Sequence, residues 1–248
     1  MQRFLVQAAF GALVLSATPQ LSAQATPAAR SAATPTVAAV YDKFATAVGG
    51  RDAWAKVDGR TEKGTVNVAF AGLTGSYLRY NAAPNKIRMI LDLDVTKIDQ
   101  GFDGTVGWVL QGAGPATRMP PEIEANTAET ARTGASFLDA SRFKEAKVAG
   151  SEAFDGVQCY KVDIVTASGE KRTDFFEIET GLRRGTVTMA PTGQQTAMFR
   201  DYKAFDGKKV ATSITQKTEQ GDVVITIAEV VFGAPDPAVF KAPEGVGK

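Results

Sequence analysis

The sequence has no histidine and one cysteine, Cys159, among its 248 residues. Without histidine there is no Ser-His-Asp triad, no Cys-His pair and no His-ligated zinc or haem. Most routes to proton transfer near pH 7 close with it. One cysteine leaves no intramolecular disulfide and no Cys-rich metal cage. Charge of one sign is lacking too: 28 Lys+Arg face 27 Asp+Glu, a formal +1. A nucleic-acid binder would need a basic face, so nucleic acid is not an expected partner. No Walker loop, dinucleotide fingerprint or Gly-x-Ser-x-Gly elbow occurs, and no metal or cofactor is expected.

What is present is a 44% apolar chain with an export signal at its start. Met1-Gln2-Arg3 is a short positive opening, Phe4 to Ala17 is apolar, and Ala23-Gln24-Ala25 is a small-x-small site. This is the three-part pattern of a secretory signal peptide over 1–25, cleaved near Ala23 or Ala25, and it implies a periplasmic location. The only charge it removes is Arg3, which makes the acidic and basic counts equal. Residues 26–35 are rich in Ala, Thr and Pro and read as a flexible linker. Residues 36–248 then suit a single domain.

Thr36 begins an amphipathic helix in which Val37, Val40, Tyr41, Phe44 and Val48 recur at helical spacing, and Gly49-Gly50 stops it. A short turn, Asp52 to Val57, carries Trp54. The period then switches to two. Val66, Val68 and Phe70 alternate with polar residues, Leu78 and Tyr80 follow a Gly-rich turn, and Ile87, Met89, Leu91 and Leu93 give the cleanest run. Val106-Trp108-Leu110 and Tyr160-Val162-Ile164 keep the rule, and strand-like stretches continue to Phe232. One apolar face and short links predict an antiparallel sheet. Pro120-Pro121 opens a segment, Glu122 to Phe143, that reads as one or two short helices lying over the sheet. The Gly112 to Pro121 connection before it reads as mobile.

Several side chains are of types that can carry chemistry. Phe-Asp-Gly occurs at 102–104, 154–156 and 205–207, where turn formation accounts for the aspartates. Asp92 and Asp94 share a strand face but lack a full loop of oxygen ligands. Cys159 lacks the usual base. Arg183-Arg184 suits either a phosphate head group or a charged sheet edge. No catalytic residue is assigned. The apolar set Met89, Leu91, Leu93, Trp108, Phe137, Leu138, Met189, Met198 and Phe199 could line a cavity between sheet and helices. Ordinary core packing is the alternative.

The order of these features resembles the periplasmic lipoprotein carrier and outer-membrane lipoprotein-sorting family (LolA/LolB-like). The matching pieces include Tyr41 to Phe44 with Gly49-Gly50, Pro84 to Arg88, and Gly101 to Trp108 with the insertion after it. Phe175 to Leu182, Tyr202 to Gly207 and Pro235 to Pro243 complete them. The resemblance implies a mainly β fold: an unclosed antiparallel β-barrel, or curved sheet, covered by short helices. It also implies a non-enzymatic carrier that holds acyl chains in an apolar cavity. The expected partners are a lipid or acylated protein, together with envelope membrane proteins. The rival reading is an envelope scaffold or interaction module with a filled core and no ligand.

Overall fold

The computed structural model describes residues 33–190 and 193–246. The expected signal peptide, 1–25, lies outside the described residues, as does the linker up to 32. The fold that follows belongs to the unit beginning at Thr34.

Helix α1 (Val37–Ala47) starts where the Thr36 side chain accepts a hydrogen bond from the Ala39 amide at 3.2 Å. It buries Val40, Tyr41, Phe44 and Ala45 along one stripe. At its end Gly49 takes φ +114°, and a side chain there would meet the Gly207 carbonyl oxygen at 2.6 Å. Helix α2 (Arg51–Ala55) carries Trp54, whose indole donates to the Val48 carbonyl at 3.0 Å.

Among the described residues, thirteen strands form one sheet. The first meander is β1 (Gly59–Val68), β2 (Leu73–Ala82), β3 (Lys86–Leu93), β4 (Lys97–Phe102), β5 (Gly107–Gln111) and β6 (Thr117–Arg118). The second is β7 (Glu145–Phe154), β8 (Val157–Val165), β9 (Lys171–Glu177), β10 (Arg183–Ala190), β11 (Gly193–Phe205), β12 (Lys208–Thr218) and β13 (Gly221–Phe232). The two meanders join at β1 and β13, which pair antiparallel, so β6 and β7 are the two free edges. The chain crosses from one edge to the other through helix α3 (Pro121–Thr130) and two short 3₁₀ turns, Gly134–Leu138 and Ala140–Arg142. Helix α3 packs on β3, β4 and β5, while the 3₁₀ turns pack on α1 and α2. The sheet is an unclosed antiparallel barrel wrapped over helices.

Two local expectations change, and two strands carry no clear sequence signal. Residues 133–143 form 3₁₀ turns rather than a helix. Thr117–Arg118, inside the connection read as mobile, pairs with Trp108 and Val109 as strand β6. Strands β4 and β7 carry little apolar alternation. In β7 only Ala146 and Val148 pack against the core, as suits a polar edge strand.

The core lies on the inner face. Tyr41 meets Phe143 and Phe176 at ring-centre distances of 5.9 and 5.1 Å. Phe44 meets Phe176 at 5.4 Å, and Trp54 meets Phe137 at 4.7 Å and Phe232 at 5.6 Å. These tilted and edge-on pairs join α1, α2 and the crossing segment to the sheet. The outer face carries smaller clusters. Arg88 on β3 holds Asp99 on β4 in a two-pronged pair at 2.9 and 2.6 Å. It also reaches the Val239 carbonyl of the C-terminal segment. Phe154 stacks on Phe175 at 4.1 Å.

Candidate binding cavity

Two connected spaces remain between the inner face and its helical cover. The first, about 190 Å³, is bounded by Phe44, Trp54 and Phe137 on one side and by Arg60, Glu62, Arg79 and Arg142 on the other. The second, about 340 Å³, is bounded by Ile87, Met89, Phe199, Ile214 and Ile225, with Met119 and Thr127 on the covering side. Arg79, Arg172, Arg183, Thr130, Phe199 and Ile214 border both. The larger space reaches the low end of the roughly 300–1,000 Å³ range of small-molecule sites.

Alternation on the strands places the charges. Arg60 and Glu62 lie on β1, with Asn81 and Arg79 directly opposite on β2. Arg79 in turn faces Met89 on β3. Arg172 and Asp174 lie on β9, opposite Thr188 and Thr186 on β10. All point inward, because each is in phase with a core residue: Glu62 with Val66, Arg79 with Tyr77, Asp174 with Phe176.

Two carboxylates anchor this network. Glu62 lies 2.9 Å from Arg60 and accepts a hydrogen bond from the Tyr77 hydroxyl at 3.1 Å. Burial opposes its ionisation, yet Arg60, Arg79 and the Tyr77 hydroxyl outweigh that and hold the carboxyl below its usual range. Asp174, wholly buried, accepts from Thr186 at 2.6 Å, from Tyr41 at 3.4 Å and from Arg172 at 3.5 Å. Arg183 stands 3.7 Å away. Burial again opposes ionisation, and Arg172, Arg183, Thr186 and Arg142 reverse it. A third carboxylate, Glu129 on α3, contacts Arg142 and pairs with Arg132 at 2.8 Å. Burial, followed by repulsion from Arg172, lowers Arg142 to about 10, so it remains charged at neutral pH. The same burial pushes the Tyr41, Tyr77 and Tyr202 phenols upward, so all three stay protonated donors.

The expected cavity residues are divided. Met89 and Phe199 border the larger space and Phe137 the smaller. Leu91, Leu93 and Leu138 are buried in the core and border neither space. Trp108 is wholly buried, but it pairs with Gly101 and so lies on the face that carries Arg88. Met198 is turned away from Phe199, and its sulfur contacts Arg200 at 3.3 Å. Met189 is 68% exposed and borders an outer groove with Val187 and Thr173. Period-two alternation separates these residues: neighbours such as Met198 and Phe199 must face opposite ways.

The remaining candidates also find places. Asp155 and Asp206 adopt positive φ as hairpin turns, and Asp103 accepts from the Thr105 and Val106 amides at 2.8 Å. Cys159 is buried, which pushes its thiol up to about 11 and leaves little thiolate. Asp92 and Asp94 are exposed, and among the described residues no group of three acidic, Cys or His side chains could hold a metal. Arg183 and Arg184 lie on β10, between β9 and β11, so they are not a sheet edge. Arg183 faces the cavity, whereas Arg184 pairs outside with Asp155 at 2.6 Å.

No family model and no curated protein matches the sequence. Solved structures do match the fold. A DUF1329 family protein from Desulfovibrio piger aligns at TM-score 0.55 and 15% identity, covering 82% of this chain and 96% of that one. A LolA superfamily protein from Nitrosomonas europaea aligns at 0.56 and 10% identity, covering 84% and 98%. A putative outer membrane lipoprotein-sorting protein domain from Vibrio parahaemolyticus aligns at 0.52 and 11% identity, covering 82% and 95%. At these identities the likeness is one of architecture, and it establishes that the chain has the LolA-like fold.

Proposed function

We propose that this protein is a periplasmic carrier or binder of a lipid or lipid-modified protein, exported by the signal peptide at 1–25. It is a binding protein and not an enzyme. The observation that carries the reading is the partly open space between Ile87, Met89, Phe199, Ile214 and Ile225 and the crossing segment. The LolA-like fold supports it, since one protein of similar architecture is a putative outer membrane lipoprotein-sorting protein domain.

The mechanism is passive burial. Each methylene withdrawn from water contributes about 0.8 kcal/mol, so a dodecyl chain gains roughly 9 kcal/mol before the costs of binding. Entry requires the cover to move. The segment 119–143 joins the two free sheet edges and is the element that can shift without breaking the strand ladder. Envelope membrane proteins would deliver or receive the cargo.

Native mass spectrometry of the purified protein, with lipid extraction and a fluorescent fatty-acid titration, tests the reading. Co-purified lipid or saturable micromolar binding is expected. A lipid-free protein that ignores the fatty acid would overturn it and leave the scaffold with a filled core.

A further inference from the structure

We infer that the cavity selects amphiphiles with an anionic head, a carboxylate or phosphate, and that Arg79, Arg172 and Arg183 receive that head while the chain lies on Met89, Phe199 and Ile214. This inference rests on the carrier reading and names its ligand class.

Inside the barrel, guanidinium groups outnumber the carboxylates that could satisfy them. Glu62 is taken by Arg60 and Tyr77. Asp174 already accepts from Thr186, Tyr41 and Arg172. Glu129 is held by Arg132 and Arg142. Arg79, which stands across the ladder from Glu62 and interacts with it and with the Tyr77 side chain, has no carboxylate within 4.0 Å among the described residues, and its buried Nε makes no hydrogen bond. The Nε atoms of Arg60, Arg142, Arg172 and Arg183 are likewise buried without a hydrogen-bond acceptor, as is that of Arg184 on the outer face, so the contrast between the faces lies in their carboxylates. Arg183 keeps 31% of its side-chain surface free where it borders both spaces, and its guanidinium lies 4.6 Å from the centre of the Phe199 ring.

Arginine cannot escape this situation as lysine could. Its pKa leaves it charged at neutral pH, so the excess of positive charge is permanent. Arg172 and Arg183 share the one carboxylate of Asp174, at 3.3 and 3.7 Å, so the cluster is under-compensated. Under-compensated buried charge is costly, and an oxyanion held by several N–H donors is the partner that guanidinium geometry fits best. Aliphatic surface begins beside the same arginines, since Met89 stands directly across the β2–β3 ladder from Arg79. A ligand charged at one end and apolar along its length therefore matches both parts of the lining. The outer face shows the contrast: Arg88 has Asp99, and Arg184 and Arg200 have Asp155, each within 2.6 Å.

The test compares heads on one chain length. The delipidated protein is titrated with dodecanoate, dodecyl phosphate, monododecanoylglycerol and inorganic phosphate, following displacement of a fluorescent apolar probe or heat of binding. Dodecanoate and dodecyl phosphate are expected to bind at least tenfold more tightly than the neutral ester, a preference that shrinks with added salt. Inorganic phosphate is expected to bind far more weakly than dodecyl phosphate. The double variant Arg79→Gln with Arg183→Gln should lose the preference while keeping its affinity for the neutral ester, which also reports that it is folded. Equal affinity for charged and neutral heads in the unmodified protein overturns the inference but leaves the carrier reading standing. Phosphate binding as tight as dodecyl phosphate overturns the amphiphile assignment. Binding of none of the amphiphiles overturns both. Should the double variant fail to fold, the head-group comparison on the unmodified protein still decides the matter.

Discussion

The interior of this barrel contains two regions made from the same elements but filled in opposite ways. Around α1 and α2, Tyr41, Phe44, Trp54, Phe143 and Phe176 close on one another at aromatic contact distances. Beside them, Arg60, Arg79, Arg172 and Arg183 border spaces that stay open. The aromatic region closes because dispersion and apolar burial both favour collapse. The arginine region cannot collapse, because like charges repel and each guanidinium needs acceptors. A cavity in this fold is thus maintained by charge as much as by shape.

The comparison can be broken first on its packed side. Trp54→Ala should cost about 4 kcal/mol, since it removes a wholly buried ring and its hydrogen bond to Val48. Urea unfolding monitored by circular dichroism reads the loss. A loss under about 1 kcal/mol would mean that the aromatic region is loosely packed.

Asp174→Asn attacks the other side. It keeps the shape but withdraws the counter-charge of Arg172 and Arg183, at a cost of about 3 kcal/mol. Dodecanoate should restore more stability to this variant than to the parent, measured as the rise in melting temperature. An equal rise in both would show that no anion reaches these arginines.

Acid should act on the same two carboxylates. Glu62 and Asp174 are both held below their unfolded values, so their contribution is complete above about pH 4. It is lost as pH falls through the lower folded values, and the urea midpoint should therefore drop steeply below pH 4. In Asp174→Asn the drop should be shallower. A midpoint that stays flat from pH 6 to 3 would contradict the paired state of these groups. The smallest effect is expected at Met189→Ser, under about 0.5 kcal/mol with unchanged lipid affinity, because Met189 faces outward.

Much of the fold was legible in the sequence because its signals are local and repeated. Thr36 and Gly49-Gly50 bracket α1, Pro120-Pro121 introduces α3, and the alternation of Ile87 to Leu93 gives β3. The cavity was less legible, because polar residues hold its inward positions. On β2, Leu78 and Tyr80 look like the core pair, yet Tyr77 and Asn81 are the buried residues and Arg79 shares their face. The usable signal was phase: Arg172 and Asp174 stand four and two residues before the buried Phe176, on its face of β9. Trp108, Met189 and Met198 have the right chemistry for a cavity wall, but a one-residue offset puts them on the other face. Strand β7 was hidden because an edge strand needs few apolar residues.

Photo-crosslinking with a diazirine-bearing fatty acid, followed by peptide mapping, tests the central claim most directly. The account predicts adducts on Met89, Phe199 and Ile214, lost on competition with dodecanoate and persisting with inorganic phosphate. Adducts confined to the outer groove around Val187 and Met189, or none that dodecanoate competes away, would contradict it.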